Sequence, residues 1–331
     1  MASLQDLLAT KPVLLADGAT GTNLFDAGLT AGEAPDLWNV ERPEAVKGLY
    51  RSFVEAGADI ILTNTFGSTR HRLKLHRAEA RVFEINRLGA ALAREVADAA
   101  GRPMVVAGSM GPTGELFEPL GALTEAEAVA AFAEQAEGLK AGGADVCWIE
   151  TMSAVEELQA AARGAIAAGM PYTATASFDT AGRTMMGLTP ADMPAVFVGL
   201  PQQPVALGAN CGVGASDLLF SLVQMAEAND GPIFIAKANA GIPQFRGEHI
   251  HYSGTPELMA HYARLAADAG ARIIGGCCGT KPEHLVAMRA ALDGYVPNSR
   301  PDRTAIESRI GPLAAPPNEG GRVRERRGRR G

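Results

Sequence analysis

The chain has 331 residues, of which 47% are hydrophobic and 20% are charged, and its formal net charge is −7. This length suits one large core or two ordinary domains, and the negative charge argues against a nucleic-acid partner. No apolar run approaches the roughly 20 residues that span a bilayer, so we expect no membrane partner.

The amino-terminal sequence MASLQDLLATKP lacks a basic segment followed by an apolar one, so we expect no secretory signal. Four cysteines in a chain of this size are too few for a disulfide scaffold. We therefore expect a cytoplasmic protein whose thiols are free to act as ligands or nucleophiles.

Eight short apolar segments recur along the chain and predict β-strands. They are VLLADG from Val13, DIILTNTF from Asp59, PMVVAGS from Pro103, DVCWIET from Asp145, YTATASF from Tyr172, PVALGANC from Pro204, PIFIAKAN from Pro232 and ARIIGGCC from Ala271. Most of them are almost continuously apolar, as strands buried on both faces are.

Helical patterns lie between these strands. They cover residues 43–56, 79–100, 124–141, 155–168, 189–198, 216–229, 255–269 and 282–292, of which 189–198 is the weakest pattern. Thr124 with Glu127, and Thr280 with Glu283, fit capping boxes at helix starts.

Strand and helix alternate eight times, which predicts a single α/β domain folded as a (β/α)8 TIM barrel over residues 1–295. A doubly wound open sheet also alternates, but no G-x-G-x-x-G turn follows the first strand. Residues 296–331 are rich in proline, glycine and arginine, with nine arginines against four acids, and predict a short disordered tail.

Three of the four cysteines fall where predicted strands end, which is where TIM barrels carry their functional side chains. Cys211 ends the sixth strand, and Cys277 and Cys278 end the eighth. Three thiolates with an open fourth position suit a catalytic Zn²⁺. Unrelated buried thiols are the alternative, but flanking glycines permit the sharp turn that would bring adjacent cysteines to one metal. Cys147 lies within the fourth strand and is expected to be a small buried hydrophobe.

Seven motifs in chain order resemble the homocysteine S-methyltransferase family: DGATGTNL, TNTFGST, GSMGPTGE, IET, GANCGVG, KANAGIP and GGCCGT. This family includes betaine–homocysteine methyltransferases, enzymes that use S-methylmethionine and the first module of cobalamin-dependent methionine synthase. The resemblance implies that Cys211, Cys277 and Cys278 bind the catalytic zinc. It also implies that Asp17 and Glu150 hold the amino group of homocysteine, although an aspartate before glycine is also an ordinary turn former.

The resemblance further implies methyl transfer to a zinc-bound homocysteine thiolate, which yields methionine. A quaternary ammonium donor favours aromatic faces, and four aromatic residues fall near predicted strand ends, where ordinary packing is the alternative: Trp38, Phe66, Trp148 and Phe178. Vertebrate-type betaine enzymes have tyrosines at the positions of Gly67 and Thr151, so their donor cage is not reproduced, and Trp38 is the candidate to replace it.

We expect glycine betaine as the methyl donor, because a barrel on its own carries no folate or cobalamin module. S-methylmethionine is an alternative donor, as is a methyl-corrinoid or methyltetrahydrofolate held by a separate protein. A zinc- and thiol-based redox sensor is the non-enzymatic alternative. Family members often form dimers or tetramers, which implies a homo-oligomer here.

Overall fold

The computed structural model describes residues 3–246 and 249–315 and contains an eight-stranded parallel sheet. Its strands are β1 (Leu14–Leu15), β2 (Ile60–Leu62), β3 (Val105–Met110), β4 (Val146–Met152), β5 (Tyr172–Ala176), β6 (Leu207–Cys211), β7 (Phe234–Ala238) and β10 (Ala271–Gly276). The order around the sheet is β1-β10-β7-β6-β5-β4-β3-β2, and a parallel bridge between Ala16 and Ile60 joins its two edges. The predicted (β/α)8 barrel is therefore confirmed. Strands β8 (Pro243–Arg246) and β9 (His249–Tyr252) form a separate antiparallel hairpin.

The helices of the outer layer follow the barrel strands closely along the chain. They are α4 (Pro43–Glu55), α6 (Val82–Ala99), α7 (Glu125–Ala141), α8 (Val155–Ala167), α9 (Ala215–Ala228), α10 (Pro256–Asp268) and α11 (Pro282–Leu292). Further helices are α1 (Leu4–Thr10), α2 (Thr20–Asp26), α3 (Trp38–Glu41), α5 (Arg70–Leu73) and α12 (Arg303–Ile310). Within the described residues, no helix is both long and apolar enough to cross a bilayer.

The connection between β5 and β6 holds a 3₁₀ helix, Met193–Phe197, where the sequence predicted an α-helix. Prolines explain the difference, because Pro190, Pro194 and Pro201 lie within or beside this short segment and cannot donate helical hydrogen bonds. The predicted helix over 189–198 is therefore wrong in type and length.

One of the two predicted capping boxes is present. The Thr124 side chain accepts from the Glu127 amide, and Glu127 accepts from the Thr124 amide in return. At α11 the cap lies one residue later than predicted, because the Lys281 amide donates to His284 Nδ1 at 2.9 Å. Thr280 is instead buried against the β1 loop, where its carbonyl accepts from the Ala19 amide.

The barrel has two apolar layers, and their packing shows which end of it is left for a functional site. Inward-facing strand residues pack together inside the barrel, and Leu4, Leu7 and Leu8 of α1 belong to the same cluster. Outward-facing strand residues pack against the surrounding helices. Because α1 packs at the amino end of the strands, their carboxyl ends are left for the functional site.

The chain beyond residue 295 is ordered further than the sequence predicted. Helix α12 packs against α9 and α10, and its Ile306 and Ile310 are buried. The Asp217 carboxylate of α9 accepts from the amides of Ala314 and Ala315. The expected disorder is therefore wrong for residues 296–315, because overall composition obscures an apolar pair four residues apart that faces the barrel. Residues 316–331 lie outside the described part of the chain.

Candidate metal centre and active-site cleft

The structure brings the three predicted zinc cysteines together. The sulfurs of Cys211, Cys277 and Cys278 all lie within 4.8 Å of one another, and those of Cys211 and Cys278 are 3.9 Å apart. Sulfurs that share a tetrahedral zinc at about 2.3 Å would be about 3.8 Å apart. The cluster therefore fits a zinc ion with little movement. Cys147 is fully buried within β4 and is not part of the cluster.

Backbone geometry at the end of β6 turns Cys211 toward the cluster. Cys211 has a φ of +62°, which is uncommon for a residue other than glycine, and Gly212 follows with a φ of +78°. The side-chain amide of Asn239, at the end of β7, donates to the Gly212 carbonyl at 2.7 Å. The residue after β7 therefore holds the turn that carries Cys211.

A second turn, at the end of β10, brings the adjacent cysteines to the same place. The Cys277 amide donates to the Ala238 carbonyl at 2.7 Å, and the Ala240 amide donates to the Cys278 carbonyl at 2.9 Å. The Thr280 amide closes the turn on the Cys277 carbonyl. These bonds tie the pair to the chain that leaves β7, so β6, β7 and β10 together place all three sulfurs.

The thiols of the cluster hold their protons tightly when no cation is bound. The pKa of Cys278 is raised to about 12, first by its hydrogen bond with Cys211 and then by burial. The pKa of Cys211 is raised as well, first by its hydrogen bond with Cys277. Thiols of this kind become ligands when a metal displaces their protons to solvent, so metal binding at the cluster is coupled to proton release.

A cleft of about 340 Å³ opens beside the cluster at the carboxyl ends of the strands. Its lining includes all three cysteines, together with Glu150 and Lys237 from the strands. The remaining lining comes mainly from the segments that follow β1 and β2. A small substrate in this cleft would contact the thiol cluster and the polar strand ends at the same time.

Glu150 is one of the strand-end residues that the sequence singled out, and the structure places it at the cleft. It lies two residues after the inward-facing Trp148 on β4, so it shares the inner face of the barrel. The side chain is 7% exposed, and Ser109 Oγ donates to Glu150 Oε1 at 2.5 Å. Burial raises the pKa of Glu150, while Lys237 and the Ser109 hydrogen bond lower it.

Asp17 is completely buried and does not line the cleft. Lys237 Nζ donates to Asp17 Oδ1 at 2.7 Å, and the Leu62 amide donates to Asp17 Oδ2 at 2.7 Å. Burial raises the pKa of Asp17, and the Lys237 charge lowers it. Sequence reasoning missed Lys237 as a site residue, although a lysine inside the apolar strand PIFIAKAN was a usable signal.

The buried charges beneath the cleft are unequal. Asp17 and Glu150 contribute two carboxyl groups against the single ammonium of Lys237, and a net charge of −1 remains when all three are ionised. Burial lowers the pKa of Lys237, but Asp17 and Glu150 raise it by more, so the lysine stays charged. In that fully ionised state the site favours a cationic group on the substrate.

Comparisons with known proteins agree with the seven motifs. A family model described as homocysteine S-methyltransferase matches residues 14–292. The chain belongs to the homocysteine S-methyltransferase family. Methionine synthases of Mycobacterium tuberculosis and Mycobacterium leprae are each 31% identical, over 317 residues (91% of this chain) and 316 residues (88%). The chain spans about a quarter of these relatives, 26% of each.

Solved structures of the same family cover nearly the whole barrel. The homocysteine methyltransferase MmuM from Escherichia coli matches in its oxidized form with a TM-score of 0.72 and 26% identity, covering 88% of this chain and 99% of that one. Its metallated form matches with the same TM-score and identity, covering 87% and 99%.

Only one of the four aromatic candidates for a donor cage reaches the cleft. Phe66 is 40% exposed and lines it. Trp38 is 1% exposed and packs under the Arg42 guanidinium, 4.6 Å from its ring centroid. Trp148 and Phe178 are buried, and neither lines the cleft. The idea that Trp38 replaces the betaine cage of other family members is therefore wrong.

Asn210 is a second residue that sequence reasoning missed. It precedes Cys211 on β6, its Oδ1 accepts from the Thr151 amide at 2.8 Å, and its Nδ2 donates to Thr151 Oγ1 at 2.7 Å. Asn210 Nδ2 also lies 3.8 Å from Cys277 Sγ. It thus links the end of β4, just after Glu150, to the thiol cluster.

Proposed function

We propose that this protein is a zinc-dependent homocysteine S-methyltransferase that forms methionine. The observation that carries the proposal is the convergence of three cysteine sulfurs beside a cleft that also holds a buried glutamate. Cys211, Cys277 and Cys278 would hold the zinc, and three protein ligands leave one position for the substrate. Zinc bound there supplies the chemistry of thiol activation, because coordination lowers the pKa of an incoming thiol until it is a thiolate.

The residues beneath the cleft would recognise the amino-acid end of homocysteine. Glu150 lines the cleft, so its carboxylate is the group that we propose to contact the α-ammonium. Both oxygens of Asp17 are already engaged, by Lys237 and by the Leu62 amide. We therefore propose that Asp17 acts through Lys237 and adds negative charge beneath the ammonium.

The reaction would need no general base, because the thiol proton of homocysteine would be released to solvent on binding to the zinc. The thiolate sulfur of homocysteine forms a bond to the methyl carbon of the donor, and the bond from that carbon to the donor nitrogen breaks. Its electron pair stays on the nitrogen, so glycine betaine leaves as a tertiary amine. Glu150 and Asp17 would then orient the substrate. Correct orientation by itself lowers the activation barrier of a bimolecular step substantially.

Glycine betaine remains the first donor that we propose, with Phe66 as the aromatic face that lines the cleft among the described residues. Thiols that must stay reduced to bind metal also support a cytoplasmic location.

A protein that carries the methyl group as methyl-corrinoid or methyltetrahydrofolate is the second candidate donor. Among the described residues, eight of the twelve exposed large hydrophobic side chains lie in the segments that follow barrel strands on the cleft side: Phe25, Phe66, Leu75, Leu116, Leu120, Met185, Met186 and Ile242. Exposed apolar side chains that gather on one face often mark a protein interface. The methionine synthase relatives are also far longer than this chain.

A donor panel tests the proposal. The zinc-loaded protein is incubated with homocysteine and, separately, glycine betaine, S-methylmethionine, or a methylated corrinoid or folate protein, and methionine is measured by mass spectrometry. Methionine from betaine alone supports the first donor, and methionine only with a carrier protein supports the second. If no donor yields methionine above the zinc-free control, the proposed activity is wrong.

A further inference from the structure

Two charged residues in the cleft have no part in the zinc site or in homocysteine recognition as proposed. Asp36 lies just before α3 and Arg72 lies in α5, and both line the cleft together with Phe66. No ion pair within 4.0 Å joins Arg72 to Asp36 or to another acid in the described part of the chain. The cleft therefore presents a positive and a negative side chain that do not neutralise each other by contact.

Asp36 is 5% exposed, and the loop after β2 occupies only one of its oxygens. Oδ1 accepts from the Gly67 amide at 3.0 Å and from Ser68 Oγ at 2.6 Å. Within the part of the chain that the structure describes, Oδ2 accepts no hydrogen bond from another residue and is left for a ligand, and a β-carbon at residue 67 would lie 3.1 Å from it. Gly67 therefore keeps the approach to Oδ2 open, and a bulky side chain at this position would cover it.

Arg72 projects from a short helix whose first turn is capped, because Thr69 Oγ1 accepts from the Arg72 amide. Arg70, on the same helix, is paired with Glu134 at 2.6 Å, whereas Arg72 is not paired in this way. Burial raises the pKa of Asp36, and the Arg72 charge lowers it, so the two groups are within electrostatic reach.

We infer that Asp36, Arg72 and Phe66 form the methyl-donor subsite and select a small zwitterion, meaning here a molecule that carries both a carboxylate and a cationic methyl-bearing centre. The cationic centre, a quaternary ammonium or a sulfonium, lies against the Phe66 ring and Asp36 Oδ2. The donor carboxylate pairs with the Arg72 guanidinium, whose planar donors suit a carboxylate. The inference rests on the proposed function. In this subsite two charged side chains would hold the donor in place of the aromatic cage of vertebrate-type betaine enzymes.

Calorimetric titration of the zinc-loaded protein with glycine betaine, and separately with S-methylmethionine, tests the subsite without turnover. Asp36→Asn keeps an oxygen for the loop hydrogen bonds and removes the charge, and Arg72→Gln removes the guanidinium. Each variant is expected to raise Kd roughly tenfold, the loss of about one charge-assisted hydrogen bond. Arg72→Lys should recover part of the affinity, and Arg70→Gln should leave Kd unchanged.

Choline provides a further control, because it has the quaternary ammonium but no carboxylate. It is expected to bind more weakly than betaine to the wild type, to lose affinity in Asp36→Asn and to be unaffected by Arg72→Gln. The zwitterion with the lower Kd is the one that the subsite accommodates better, and the donor panel shows whether its methyl group is transferred. Wild-type protein that binds neither zwitterion, or variants with unchanged Kd for both, would overturn the inference.

Different results would refute the proposed activity and the proposed donor subsite. Binding of a zwitterion that depends on Asp36 and Arg72, without methionine formation, would refute the proposed activity and leave the subsite standing. Methionine formation only with a carrier protein, without zwitterion binding, would leave the activity standing and refute the subsite.

Discussion

Cys211 combines two properties that distinguish it from an ordinary buried thiol. Its backbone is in the left-handed region, which costs free energy for a residue with a β-carbon, and its sulfur meets two others from a distant turn. Backbone strain of this kind is maintained where the surrounding structure or a bound group compensates for it. A metal bound by all three sulfurs would provide that compensation.

Replacing Cys211 with alanine removes one of three ligands, and we expect zinc retention to fall from about one ion per chain to well below that after dialysis. Metal analysis of the purified protein gives the result directly. Cys147→Ala is the matched control, because Cys147 is buried in β4 outside the cluster and should leave the zinc content unchanged. Wild-type zinc affinity in Cys211→Ala would argue against the three-sulfur site.

Glu150→Gln removes the charge that we propose to pair with the α-ammonium of homocysteine, while it keeps the size of the side chain. The KM for homocysteine is expected to rise about tenfold or more, with the zinc content unchanged. Steady-state kinetics and metal analysis of the same preparation measure both. Glu156→Gln, an exposed acid at the start of α8, is the control. An unchanged KM in Glu150→Gln would remove Glu150 from substrate recognition.

Lys237→Met leaves the carboxyl group of Asp17 buried without its partner, and we expect the free energy of unfolding to fall by about 3–5 kcal/mol. Urea denaturation followed by circular dichroism measures the change. The double variant Asp17→Asn with Lys237→Met removes both charges and should recover part of the loss. A single variant within about 1 kcal/mol of the wild type would show that the pair contributes little.

At the scale of elements, the alternation of each strand decides which side chains reach the cleft. On β4, Trp148 and Glu150 face inward while Cys147 and Ile149 join the outer layer. The same rule puts Ile235 and Lys237 on the inner face of β7. Period-two patterning and strand ends therefore place the polar floor of the cleft on rigid elements.

Helix α12 extends the packed structure past the predicted end of the barrel. Ile306→Ala is expected to cost about 2–5 kcal/mol of stability, because a buried isoleucine loses most of its packed side chain. Chemical denaturation measures this cost. Val296→Ala, at an exposed position, should change stability by less than about 0.5 kcal/mol. Equal effects at both positions would mean that α12 does not stabilise the barrel.

Local patterns predicted the elements better than they predicted the partners. All eight barrel strands, the closure, the capping box at Thr124 and the convergence of Cys211 with the adjacent cysteines follow from periodicity and strand order. The Asp17–Lys237 pair joins residues 220 positions apart, so no local pattern reveals it. The burial of Trp38 is hidden from local patterns for the same reason, because it depends on how α3 packs and on Arg42 above the ring.

In the whole molecule, the two ends of the barrel differ: apolar packing closes one end, and the functional side chains lie at the other. Helix α1 packs at the amino end of the strands, and the thiol cluster, the charged floor and eight of the twelve exposed large hydrophobic side chains of the described residues lie at the carboxyl end. Residues 296–331 hold nine arginines against four acids, so the negative excess behind the formal net charge of −7 lies in the rest of the chain, and the cleft carries its own arrangement of charges. The methyl donor is either a small zwitterion that enters the cleft or a carrier protein that binds to the rim of the barrel around it.

Zinc K-edge X-ray absorption, recorded on the zinc-loaded protein before and after homocysteine is added, counts the sulfur ligands of the metal. We predict three sulfur ligands and one lighter atom in the free protein, and four sulfur ligands once homocysteine is bound. Fewer than three sulfur ligands, or a zinc environment that does not change at saturating homocysteine, would contradict a three-cysteine zinc site that binds the homocysteine thiolate.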